Sequence, residues 1–260
     1  FNAFFVPFMS IMTLFLGVGI LSRWKQNSDK MWKQLAVLAS LCVVIGIITP
    51  FIYGGELAWW PAVGAGLMAW IVLTSLKDIA NKIAHKSDKW AGLKGLPRSY
   101  YGMILAHLGV GITIIGIAMV TIYNEERDLR MAIGDTVKIG DYSLVFKDLR
   151  EIKGPNFISD EGVFDVLVDG RVYTEMTPEK RFYTTSRQTI TEAAIDPGLT
   201  RDLYVALGER LDDGSWAVRV QFKPFVRWIW LGSIFMGIGG LLAAMDKRYS
   251  RNRMSGTRAV

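Results

Sequence analysis

Two histidines occur in the chain, and their settings differ. His85 lies in a Lys-rich connection and reads as a surface residue. His107 sits inside a run, 99–124, that holds no Asp, Glu, Lys or Arg. About eight residues in from Ser99, it would lie about 12 Å along a helix that rises about 1.5 Å per residue. An ionisable group inside an apolar span is costly unless partnered, which marks His107 as a functional candidate. Proton pathways chain several Asp, Glu or His residues, and no Asp, Glu or second His falls within an apolar run, so a relay is disfavoured. Gly111 follows one turn later and leaves room for a flat ligand or another helix, with Met103, Ile104, Val110 and Ile114 on the same side. Two readings stand: a neutral imidazole ligating haem iron from an apolar pocket, or a histidine that hydrogen-bonds a neighbouring helix.

The single cysteine, Cys42, lies in another apolar run and reads as a small buried residue; it offers neither a disulfide nor a thiol nucleophile to the rest of the chain. Glu179, Glu192, Asp196 and Asp202 are scattered through a β-prone region, where solvated or paired roles are expected. No Gly-rich phosphate loop, Zn-type Cys/His cluster or nucleophile elbow is visible in the sequence.

The elements that must position His107 follow from where charge is missing. Runs 1–22, 34–55, 57–76, 99–124 and 228–245 contain no charged residue. Each is close to the roughly 20 residues a helix needs to cross a hydrocarbon core of about 30 Å. The chain is therefore read as an α+β integral membrane protein with five transmembrane helices, and a fully soluble globular class is excluded. Small residues four apart (Ala65/Ala69, Ser233/Gly237, Gly239/Ala243, Gly240/Ala244) are expected to mark close helix packing. Trp59, Trp60, Trp228 and Trp230 suit an interfacial belt, with a haem platform as the other reading.

The 260 residues carry 30 Lys and Arg against 24 Asp and Glu, a net charge of +6. That balance does not describe a nucleic-acid binder, because half of the basic residues lie in three segments on one side of a five-span chain. Arg23, Lys25, Lys30 and Lys33 follow span one, Lys77 to Arg98 link spans three and four, and Lys247 to Arg258 form a basic tail, 246–260. Lys and Arg accumulate on the cytoplasmic side, where they also meet lipid headgroups. The first residue is Phe and span one lacks a basic n-region, so the start is not that of a signal peptide and the chain is expected to be the downstream part of a longer one.

Residues 125–227 fall on the opposite, outer side and change character to short alternating runs. Gly140-Asp141, Asp169-Gly170 and Asp213-Gly214 mark three hairpins, the second suited to a type I′ turn. Trp216, Val218, Val220 and Phe222 alternate with Ala217, Arg219 and Gln221, giving one buried and one wet face. A small antiparallel β-barrel or sandwich is expected between helices four and five.

The runs Ile104-Leu105-Ala106-His107-Leu108-Gly109-Val110, Gly154-Pro155-Asn156, Pro178-Glu179-Lys180-Arg181, Thr191 to Asp196, Gly198 to Glu209 and Lys223 to Trp228 together resemble the C-terminal part of the CcmF family, haem lyase subunits of cytochrome c maturation. The resemblance covers nearly the whole chain. It implies a location in the bacterial inner membrane with the β-rich domain in the periplasm. It also implies a resident haem b held by two histidines on different helices, one of them at His107, the second outside this chain. The partners it implies are the haem chaperone CcmE, the thioredoxin-like CcmH, apocytochrome c and the upstream part of CcmF. The family's Trp-rich outer loop and two outer histidines have no counterpart here, so haem attachment by this chain alone is not expected. A non-catalytic membrane scaffold or a haem transporter subunit is the alternative reading.

Overall fold

The computed structural model describes residues 2–22 and 29–246; Arg23, Lys25 and the basic tail beyond Asp246 lie outside them. The chain divides into two compact units, one made of residues 1–122 with 228–260 and the other of residues 123–227.

The first unit is helical. It comprises α1 (Asn2–Leu21), α2 (Asp29–Gly54), α3 (Trp59–Ile83), the short α4 (Lys89–Lys94), α5 (Arg98–Tyr123) and α6 (Val226–Ala244). Four of these, within α2, α3, α5 and α6, are long and apolar enough to cross a membrane, while α1 contributes a shorter apolar stretch, Val6–Leu21. The chain is an α+β membrane protein.

Helix α3 continues past the run expected to end at residue 76, because its Asp78 carboxylate is satisfied inside the unit. Tyr100 Oη donates to Asp78 Oδ2 at 2.7 Å, and Lys82 Nζ lies 3.2 Å from the same oxygen. The Lys-rich link also holds a helix that hydrophobic runs alone could not reveal. Asp88 caps α4 by accepting hydrogen bonds from the backbone N–H groups of Trp90 and Ala91. Asp246 does the same at the start of α5, accepting from Ser99 N at 2.9 Å. These acids are structural joints of the helical unit.

Close helix packing does occur, and the expected pair Gly239/Ala243 takes part in it. Along α5, Gly102 meets Gly239, Gly109 meets Gly232 and Gly116 meets Trp228 and Ile229 of α6, so the seam repeats every seven residues. A Cβ on Gly109 would fall 2.5 Å from the Gly232 carbonyl oxygen. Gly239 and Ala243 belong to this seam, whereas Gly237 and Gly240 face open space. Seven residues are nearly two turns, which keeps one edge of a helix on its neighbour; the expected pair Gly239/Ala243 lies on that edge, while Gly237 and Gly240 are turned off it.

The second unit holds ten strands: β1 (Glu125–Met131), β2 (Thr136–Ile139), β3 (Tyr142–Lys153), β4 (Phe157–Val168), β5 (Arg171–Met176), β6 (Glu179–Tyr183), β7 (Gln188–Glu192), β8 (Ala194–Pro197), β9 (Arg201–Arg210) and β10 (Trp216–Pro224). One sheet has the order β1-β10-β9-β8, the other β2-β3-β4-β6-β7, with β5 also paired to β4. All pairings are antiparallel. The two sheets share one core, to which Leu203, Val205, Leu207, Trp216, Val218 and Val220 come from one side and Ile139, Leu144, Phe146, Phe164 and Val166 from the other. Phe146 and Phe164 stack with ring centroids 4.6 Å apart. This is the β-sandwich form of the expected architecture.

The turns explain the pairing. Asp169 and Gly170 both have positive φ, 50° and 75°, as a type I′ turn requires. At Gly140-Asp141 only the glycine is positive, at 53°, the type II′ pattern. The third connection is longer than a two-residue turn: Leu211–Ser215 forms a loop in which Asp213 Oδ1 accepts from Ser215 N and Oγ.

Candidate functional site

His107 lies near the middle of α5, and the surrounding helix contacts decide which way it faces. The edge of α5 carrying Gly102, Gly109 and Gly116 is taken by α6. Gly111 faces α3, where a Cβ would come 3.5 Å from Met68 Cα and 3.8 Å from Ile71 Cβ. Of the two neighbours expected beside Gly111, a flat ligand or another helix, the helix is what stands there. His107 points elsewhere, into an open groove of about 410 Å³ lined by Met103 and His107 of α5 and by Met12, Phe15, Leu16, Gly19 and Ile20 of α1.

Helix α1 is held as the opposite wall by α3. Trp70 Nε1 donates to the Leu14 carbonyl oxygen at 3.0 Å, and the Trp70 ring fills the place beside Gly17. Leu21, Leu35, Cys42 and Trp70 form the small buried cluster that joins α1, α2 and α3, which gives Cys42 the packing role its setting suggested.

The groove is apolar apart from the imidazole. His107 Nδ1 is buried and has no hydrogen-bond partner among the described residues. Such an atom costs about 1–3 kcal/mol if left alone. The reading of His107 as packing glue needs a hydrogen bond to a neighbouring helix, and the buried nitrogen makes none. An imidazole with an unpartnered nitrogen beside an apolar groove has donor chemistry that could hold a haem iron.

The other residues singled out in the sequence lie away from this groove. His85 is exposed in the turn after α3. Trp59, Trp60 and Trp230 are exposed, and none of them lines the groove. In the β unit the flagged acids are engaged in ion pairs. Glu179 pairs with Arg181, Asp196 with Arg201 and Asp202 with Arg227, while Glu192 lies 3.8 Å from Arg181. Arg201 also donates to Tyr142 Oη at 2.8 Å and stacks over the Tyr142 ring. Arg181 holds the Glu179 carboxyl below its ordinary value against the opposing effect of burial, with a further hydrogen bond from Ser159. The α1 residues of the groove carried no signal in the sequence, because α1 is apolar on every face and no stripe stands out.

Residues 122–224 match a family model described as the CcmF C-terminal beta-sandwich. The "Cytochrome c-type biogenesis protein CcmF" of Pseudomonas aeruginosa is 46% identical over 251 residues, covering 96% of this chain and 38% of that protein. The chain belongs to the CcmF family. The Escherichia coli CcmF is 41% identical over 98% of the chain, and the CycK protein of Rhizobium meliloti 35% identical over 95%. A solved structure titled "Cytochrome c Heme Lyase CcmF" superposes with a TM-score of 0.77 over 94% of this chain and 40% of its own, at 17% identity, which speaks for the shared fold. The chain thus spans 38% of the length of these CcmF relatives, a part that includes the family's β-sandwich region.

Proposed function

We propose that this chain is the C-terminal membrane region of a haem lyase subunit in cytochrome c maturation, and that His107 is an axial ligand of a haem b resident in the membrane. The observation that carries the reading is that His107, whose buried Nδ1 has no hydrogen-bond partner among the described residues, lines an apolar groove. Kinship with CcmF proteins supports the pathway.

A bound haem b supplies a one-electron couple, suited to setting the redox state of the haem iron or thiols during attachment. The chain's own residues do the positioning. The α6 seam and the Tyr100–Asp78 hydrogen bond fix α5, and with it the imidazole. Met12, Phe15, Leu16 and Ile20 would give a bound haem an apolar, water-poor wall. Gly111 seats α5 against α3 and so sets the depth of His107. His107 is the one histidine in the apolar runs, so the second axial ligand comes from outside this chain, from the upstream part of the protein. Five helices span the inner membrane, the basic links face the cytoplasm, and the β unit faces the periplasm. There the β unit forms part of the surface that meets the haem chaperone CcmE, the thioredoxin-like CcmH and apocytochrome c.

The test is His107→Ala in the full assembly, followed by the absorption spectrum of the purified membrane protein. Loss of the intramembrane b-type Soret and α bands is expected, and an unchanged b haem would overturn the assignment.

A further inference from the structure

The groove has two walls, and the wall without the histidine contains one position with no side chain. Met12, Phe15, Leu16, Gly19 and Ile20 occupy positions i, i+3, i+4, i+7 and i+8 of α1, a single stripe along the helix. The opposite face of α1 is committed to α3 through Gly17, Leu14 and Leu21, so the stripe cannot turn away. Gly17 and Gly19 are two residues apart and differ sharply. A Cβ on Gly17 would run into the Trp70 indole, whereas a Cβ on Gly19 would meet nothing within 4 Å. Gly17 is a glycine because a neighbour is close. Gly19 lines the groove, and no protein atom occupies the space its side chain would take.

Resting on the reading of His107 as haem ligand, we propose that Gly19 is a positioning residue for that haem. Its missing side chain is the clearance that lets the edge of the planar macrocycle lie between α1 and α5, while Phe15 and Met12, exposed at 69% and 44%, cover the same face one and two turns away. A planar ligand reaching from the His107 ring needs depth on the far wall, and α1 offers it at Gly19. A branched side chain there fills the groove from the wall opposite the imidazole without touching the ligand atom.

The experiment compares Gly19→Leu, Gly19→Ala, Gly237→Leu and His107→Ala in the full membrane assembly. It reads haem b per purified protein, the Soret position and the membrane level of the protein. Gly237 also faces open space, on α6, and controls for adding bulk to an apolar helix face. The expected pattern is haem lost in Gly19→Leu as in His107→Ala, retained in Gly19→Ala with a shifted Soret, and unchanged in Gly237→Leu, with all four proteins present at parental level. Full haem with an unshifted Soret in Gly19→Leu overturns the clearance role. So does equal loss in Gly19→Ala and Gly19→Leu, or a drop in membrane level that tracks the haem loss, since either makes Gly19 a folding residue. If His107→Ala keeps its haem, the reading of the groove itself falls, a result distinct from failure at Gly19 alone.

Discussion

The indole nitrogen of Trp70 donates a hydrogen bond to the backbone carbonyl oxygen of Leu14, 3.0 Å away and 56 residues earlier in the chain. That oxygen lies within α1, and the bond ties α1 to α3 on the face opposite the His107 groove.

Trp70→Phe removes the donor and keeps most of the packing. A net loss of about 0.5–1.5 kcal/mol is expected for one such hydrogen bond. The thermal midpoint of the purified membrane protein should fall, and α1 should loosen, so haem should dissociate faster on dilution into detergent. A parental midpoint and dissociation rate together would show that α1 is held by packing alone.

The α5–α6 seam separates glycines that need to be glycine from those that do not. In Gly232→Ala the new methyl would fall against the Thr113 side chain and against the Gly109 carbonyl oxygen and Thr113 N, the last two fixed by helical backbone. Overpacking of this kind costs about 1–3 kcal/mol. Gly237→Ala meets open space and should be neutral. Membrane accumulation and thermal aggregation temperature should drop for the first variant and not for the second; equal behaviour would mean the seam is not closed in the membrane.

The β unit should lose stability in acid partly through one residue. Arg181 Nε and Nη2 each donate to the Glu179 carboxylate at 2.9 Å, and Ser159 Oγ donates at 2.8 Å. Arg181 first of all holds that carboxyl below its ordinary 4.5. A carboxyl depressed in the folded state contributes stability that is complete above its unfolded value and is lost as pH falls through the folded one. Unfolding of the full protein, followed by tryptophan fluorescence, should therefore be insensitive to this group from pH 7 down to about 4.5 and weaken below it. Glu179→Gln should flatten part of that acid slope. An unchanged slope would assign it to the other depressed carboxyls, Asp128 held by Arg219 and Asp213 held by Ser215.

How much was legible before folding differs element by element, for physical reasons. Charge cannot enter a bilayer cheaply, so gaps between charges mark the spans from composition alone. Asp169-Gly170 states its own turn, because few residue pairs tolerate two positive φ values in succession. His107 stood out because one imidazole in an apolar run has no local partner. What stayed hidden was everything that depends on which helix faces which. An all-apolar helix has no wet face to betray its orientation, so the α1 stripe and the seven-residue glycine seam were invisible, and four-residue pairs looked as good as any. Asp78 looked like a member of a loop until Tyr100 satisfied it. By itself the sequence determined the membrane class, the hairpins and the histidine. Only the tertiary structure decided that Gly111 faces α3, that α1 forms the second wall of the groove, and that Gly19 meets open space on that wall, because contacts between helices are set by shapes that no single helix carries.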